Sequence, residues 1–177
     1  MKIVEEETGE EIDIEEIDLD YVAGHEAYHA IVALALGCNI ATNIFTDDQV
    51  KKEQAWGNTT VYYHDNVGFK SDENTTHIED LVAWNSAGIL WDLIHCEKEV
   101  DIAEELSQVD LNNIEEAFDK MKLKPKVRRR LKDDGLKLAD SMIRKHRAKV
   151  FELAKMLKES QRGKIIELSP DFLNRDV

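Results

Sequence analysis

His25, Glu26 and His29 stand in a His-Glu-x-x-His spacing within a run of strong helix formers. Side chains four apart on a helix lie nearly above one another, so two imidazoles at positions 25 and 29 can meet one tetrahedral metal ion. At about 100° per residue, Glu26 falls roughly 80° from the line bisecting the two histidines. Its carboxylate then lies beside the metal and not on it, placed to take a proton from a metal-activated water. The competing reading is a buried amphipathic helix whose histidines happen to be four apart. That accounts for Ile31, Val32, Leu34 and Leu36. It does not account for three ionisable side chains at the start of an apolar segment, where burial without a bound partner is costly.

The elements that must position these residues follow from the surrounding pattern. Asp18 or Asp20 is suited to cap the helix, and Gly37 is suited to close it at the C′ position. After Gly37, the stretches 40–45 and 58–63 have the β-branched and aromatic content of strands, with the charged stretch 47–54 as the loop between them. Such a sheet either pairs with an extended substrate backbone or is a structural hairpin. Residues 64–77 read as an exposed loop. A second helix is expected from Ile78 to about Leu106, with Leu81, Val82, Asn85, Ile89, Leu93 and Ile94 on one stripe. His95 and Cys96 are adjacent there, diverge by about 100° and read as packing residues. Met121–Lys126 resembles a linker in which Pro125 ends the preceding helix. The basic run 126–132 reads as a solvated helix face or a dock for acidic groups in preference to a nucleic-acid contact. A last helix is expected over 136–160, with His146 structural.

Composition sets the outer bounds. The chain has 177 residues and a net charge of −14, of which ten carboxylates lie between Glu5 and Asp20. That N-terminal stretch, residues 1–19, reads as a solvated acidic arm. The acidic balance makes nucleic acid and an anionic membrane unfavoured partners. Cys38 and Cys96 make no disulfide framework and read as ordinary thiols of a reducing cytosol. With no export signal and no apolar run near the ~20 residues that span a bilayer, a soluble cytoplasmic location is expected.

The words around the histidine motif, Val22-Ala23-x-His25-Glu26-Ala27-x-His29-Ala30-x-Val32-Ala33-Leu34, resemble the opening helix of the zinc-peptidase domain of FtsH-type ATP-dependent proteases. That family usually has Tyr before the first His and Gly before the second; here the two are exchanged, as Gly24 and Tyr28. The exchange sets a phenol on the flank of the site opposite Glu26. Gly57-Asn58-Thr59 falls where the family has a Gly-x-Thr step. Ser86-Ala87-Gly88 keeps the small residues of its second helix, but Ile89-Leu90 stand where acids are expected, so a supporting carboxylate is lost or displaced to Asp92. The segment Val109-Asp110-Leu111-Asn112-Asn113-Ile114 resembles the family's third-ligand segment, and the likeness continues into the C-terminal helix around His146.

The resemblance runs from about residue 20 to residue 168, with 169–177 as a tail. It implies a mainly α domain with a small antiparallel sheet. It also implies a zinc ion held by His25, His29 and Asp110, with Glu26 as the general base. From local sequence alone Asp110 serves equally as the cap of a helix starting at Leu111, and Asp92, Glu97 and Asp101 are alternative ligands. No phosphate-binding loop occurs in this chain, so the implied activity is ATP-independent cleavage of flexible peptide or protein segments. A homo-oligomer is allowed. The rival is a zinc-binding adaptor that keeps the fold without turnover.

Overall fold

Helix α1, Leu19–Ala35, is apolar almost all round because it is enclosed almost all round, with an unbroken buried stretch from Ala30 to Leu34. Asp18 caps it, accepting from the amides of Asp20 and Tyr21 at 3.0 and 3.2 Å. At the other end the Gly37 amide donates to the Leu34 carbonyl and the Cys38 amide to that of Ala33. With Gly37 at φ +86, this is the glycine-closed helix end that the sequence predicts. The computed structural model describes residues 2–4, 11–13, 18–53, 55–63, 66–67, 78–95 and 108–175.

Around α1 the described residues form five further α-helices and a four-stranded antiparallel sheet, so the fold is mainly helical. The helices are α2 (Asp47–Glu53), α3 (Ile78–His95), α4 (Gln108–Lys120), α5 (Pro125–Lys145) and α6 (Arg147–Glu159). Strands β1 (Lys2–Val4) and β2 (Glu11–Asp13) pair antiparallel by themselves, so part of the expected solvated arm has a backbone ladder. The larger sheet runs β5-β4-β3-β6, from strands Asn66–Val67, Gly57–Tyr63, Asn39–Ile44 and Ile166–Leu168. Helix α1 lies against β3 and β4 on one side and against α3, α5 and α6 on the others. A 3-10 turn, Pro170–Asn174, returns the C-terminal segment to α1 and buries Phe172.

Three local expectations differ from the structure. The stretch 47–53 is a helix and not a loop. Thr46 and Gln49 form a reciprocal cap across its first turn, the Thr46 amide donating to Gln49 Oε1 at 2.9 Å. Pro125 opens α5 at its first turn and does not close α4, which ends by itself at a turn through Lys122 at φ 52. The expected helix over 136–160 is two helices, meeting at His146. The basic run does sit on a helix face among acids: Arg128 pairs with Glu115 and Asp119, and Lys132 with Glu115.

A second apolar cluster fixes the helix that carries Asp110. Ile114, Ala117 and Phe118 of α4 pack with Ile78, Val82 and Ile89 of α3 and Leu131 of α5. One turn from Asp110, the Asn113 side chain donates through Nδ2 to Asn85 Oδ1 at 3.1 Å, and Asn85 Nδ2 donates to the Leu81 carbonyl. Asn85 is buried on the stripe that the sequence predicts for α3, where it serves as a polar tie. No helix among the described residues is long and apolar enough to cross a membrane.

Candidate metal centre

His25 and His29 of α1 both contact α3, and Asp110 enters from the first turn of α4. His25 Nε2 and His29 Nε2 are 3.2 Å apart, and Asp110 Oδ2 lies 3.2 Å from His29 Nε2 and 3.8 Å from His25 Nε2. Ligands bound to zinc at about 2.1 Å stand about 3.4 Å apart at the corners of a tetrahedron. The observed triangle therefore has the size that such an ion requires. Among the described residues this is the one group of three or more His, Cys, Asp or Glu side chains spaced to hold a metal.

Backbone clearance points to the same place. A Cβ at Gly88 of α3 would lie 2.3 Å from Asp110 Oδ2, 2.5 Å from His29 Nε2 and 2.7 Å from His25 Cε1. The space where these donors converge is thus bounded on one side by bare backbone. Glycine inside a helix costs about 1 kcal/mol relative to alanine, and here it leaves room that a methyl would fill.

The outer nitrogens of both imidazoles have partners that turn their Nε2 atoms inwards. His29 Nδ1 lies 3.0 Å from the Trp84 carbonyl, which fixes it as the donor nitrogen. His25 Nδ1 lies 3.1 Å from Asp92 Oδ1, and the Tyr21 hydroxyl donates to that same oxygen. Asp92 is fully buried, so it orients His25 from behind and is not the third ligand. Asp92 is the residue of the second helix to which the sequence reading moved a supporting carboxylate, and here it stands 3.1 Å behind His25. Asp110 is the third residue of α4, not its cap; its carboxylate is turned to the histidines. Glu97 and Asp101, whose residue types would also suit a third ligand, lie outside the described residues, as does Cys96. Cys38 is buried with its thiol pushed up to about 12 by burial, with Asp80 adding to the shift.

Burial alone would pull the His29 imidazole down. Asp110, as charge and hydrogen-bond partner, outweighs that together with Glu26 and the Trp84 carbonyl, and holds it up to about 9. A proton and a metal therefore compete for the same nitrogen. Glu26 is buried beside the cluster, and desolvation pushes its carboxyl up from the ordinary range. The nearby His25 and His29 and the Thr59 hydroxyl offset only part of that rise. A carboxyl raised in this way is suited to hold a proton briefly and release it.

The exchange of Gly24 and Tyr28 has a packing cause. A Cβ at residue 24 would lie 2.0 Å from the Trp91 ring, and Tyr28 meets the same indole edge-on at 5.0 Å between centroids. The glycine makes room for the indole, and the tyrosine covers it. Burial raises the Tyr28 hydroxyl, and the charges acting on it are Arg147, Asp140 and Arg144 of α5 and α6, not those of the donor cluster.

Sequence reasoning missed Tyr21 as a contributor, and it met Gly88 and Thr59 only as points of resemblance, without a role at the site. Tyr21 carried a signal, being four residues before His25 on the same helical face. The contribution of Thr59 depends on strand register, which local pattern does not encode. Comparison of the chain with protein-family models, curated proteins and solved structures returns no match.

Proposed function

We propose that this chain is a zinc-dependent peptidase with an FtsH-type arrangement of site residues, cutting flexible peptide or protein segments without nucleotide. The observation that carries the reading is the convergence of His25 Nε2, His29 Nε2 and Asp110 Oδ2 beside a buried glutamate. A metal store or structural site has no use for Glu26 in that position.

Two histidines and a carboxylate suit zinc and leave a fourth position open. When bound there, zinc supplies Lewis acidity towards a carbonyl and lowers the pKa of water to about 7. Glu26 then takes a proton at its free carboxyl oxygen and delivers it to the leaving amine. Asp92 and the Trp84 carbonyl hold His25 and His29 in orientation from behind.

The sheet offers a place for the substrate backbone. The Phe45 amide donates to the Trp56 carbonyl, and alternation from that pair turns the backbone groups of Gly57, Thr59 and Val61 away from β3. Among the described residues β5 pairs only with Tyr62 and Tyr63, and no described strand pairs with the outer side of the start of β4, next to Glu26. An extended peptide added there pairs through its own backbone, which favours unfolded segments over folded domains.

Metal analysis of the purified protein and digestion of a peptide library without nucleotide test the reading. The expected outcome is about one zinc per chain and cleavage that falls ~10²–10⁴-fold in Glu26→Gln while zinc is retained. Zinc-loaded wild-type protein that cuts nothing would turn the reading to the adaptor. A Glu26→Gln variant as fast as wild type would place the base elsewhere.

A further inference from the structure

Thr59 lies opposite Thr42 in the β3–β4 ladder. The alternation set by Phe45 and Trp56 makes this a pair without mutual backbone bonds, the closer kind, with both side chains on the face towards α1. Their hydroxyl oxygens are 2.8 Å apart, and both residues are buried. Thr59 Oγ1 is 2.7 Å from Glu26 Oε2 and 3.3 Å from the Glu26 backbone carbonyl. The carboxylate is the nearer and stronger acceptor, so the single Thr59 proton goes to it. Thr42 must then donate to the Thr59 oxygen, which gives the chain of hydroxyls one direction.

Two positions earlier on the same face stands Gly57. A Cβ there would come 2.8 Å from both Cγ and Oε1 of Glu26. One carboxyl oxygen is thus tied to a hydroxyl, and the other lies beside the bare backbone of Gly57 at the start of β4. A buried carboxyl with a free χ3 would present its two oxygens in turn; this one is held with one oxygen committed.

We propose that Thr59, backed by Thr42 and given clearance by Gly57, is a positioning residue that commits Oε2 of Glu26 and leaves Oε1 as the oxygen that exchanges protons with the substrate. The assignment rests on the peptidase reading and adds to it which oxygen of the base acts and what selects it.

The test is steady-state peptide cleavage by Thr59→Val, which keeps the branched shape and removes the hydroxyl, beside Thr59→Ser, which restores it. Thr59→Val is expected to keep its zinc and its KM while kcat falls about 10- to 100-fold, the scale of a misplaced catalytic group. Thr59→Ser should recover most of that rate, Thr42→Val should show a smaller loss in the same direction, and Thr60→Val on the other face should match wild type. Wild-type kcat in Thr59→Val overturns the assignment alone. So does a loss that Thr59→Ser fails to recover, or one accompanied by loss of zinc, because each marks a merely structural role. Wild-type protein that holds zinc and cuts nothing overturns the peptidase reading and this assignment with it.

Discussion

The donor cluster is assembled from the helical side of the molecule, whereas Glu26 is held from the other side by a pair of strands. On the helical side His25 and His29 are spaced by one turn of α1, Asp110 arrives on α4, and α3 supplies Asp92, the Trp84 carbonyl and the bare backbone of Gly88. The contacts there join imidazoles to carboxylates and a carbonyl, and they are strong in a buried setting. On the strand side the contacts run through hydroxyls, worth about 1 kcal/mol for Thr42 to Thr59 and about 1.5–3 kcal/mol for Thr59 to the Glu26 carboxylate. On the proposed reading, binding metal and using it have separate supports in this fold. Substitutions on the helical side should remove the metal; those on the strand side should leave it in place and lower the rate.

Gly88→Ala is the severest test of the helical side. Its methyl would enter the space between the three donors, while the atoms it meets are the ends of movable side chains. The helix itself gains from alanine by about 1 kcal/mol. The expected result is loss of zinc retention in chelator competition, with circular dichroism and the melting temperature of the metal-free protein near wild type. Full zinc occupancy would show that the ion does not sit at this cluster.

Phe118→Ala asks whether the helical side depends on the second apolar cluster. Phe118 is fully buried between α3 and α5, and its removal leaves a cavity costing about 3–5 kcal/mol. Because α4 also carries Asp110, zinc affinity should fall together with the denaturation midpoint. A large stability loss with undiminished zinc affinity would mean that the Asn113–Asn85 bond, not packing, sets the position of Asp110.

Asp92→Asn should act on metal affinity and hardly on stability. The amide keeps the size of the carboxylate and can still accept from Tyr21 and His25, but the charge behind the imidazole is gone. Outer partners of metal-binding histidines are typically worth 10–100-fold in affinity, about 1.4–2.7 kcal/mol. Unchanged zinc affinity would show that orientation alone, without the charge, is what His25 needs.

The helical side was largely legible in the sequence, because its message is local. His25, Glu26 and His29 follow from helical periodicity, and the stripe of α3 was visible from Leu81 to Leu93, while Ile94, expected on it, is exposed. Asp110 came from resemblance, since an aspartate near a helix start reads equally as a cap. The strand side was illegible for a physical reason: Thr42 and Thr59 are partners only because of the register between two strands separated by α2. That helix was itself missed because, of its residues, Val50 alone is buried, which leaves no periodic apolar pattern. Thr46 and Gln49, spaced as a capping pair, were the signal that marked its start.

The smallest effect expected comes from the ion pairs on the outside of α4. Glu115 accepts from Arg128 Nη1 at 3.1 Å and lies 2.5 Å from Lys132 Nζ, tying α4 to α5 on a half-exposed surface. The Lys132 ammonium, with the Arg128 guanidinium adding to it, holds the Glu115 carboxyl below its ordinary value of 4.5, against the opposing effect of burial. A carboxyl depressed in the folded state stabilises above its unfolded pKa and loses that contribution as pH falls through the folded value. At pH 7, Glu115→Gln should therefore cost at most about 1 kcal/mol, and less as salt screens the half-exposed pair. The gap between variant and wild type should close as the pH is lowered below 4.5, and zinc retention at pH 7 should not change, because the apolar cluster holds Asp110 in place. Denaturation midpoints across that pH range, with and without added salt, measure the gap. A pH-independent loss, or zinc lost along with the ion pair, would show that surface charge fixes α4 and that the helical side is less self-sufficient than its packing implies.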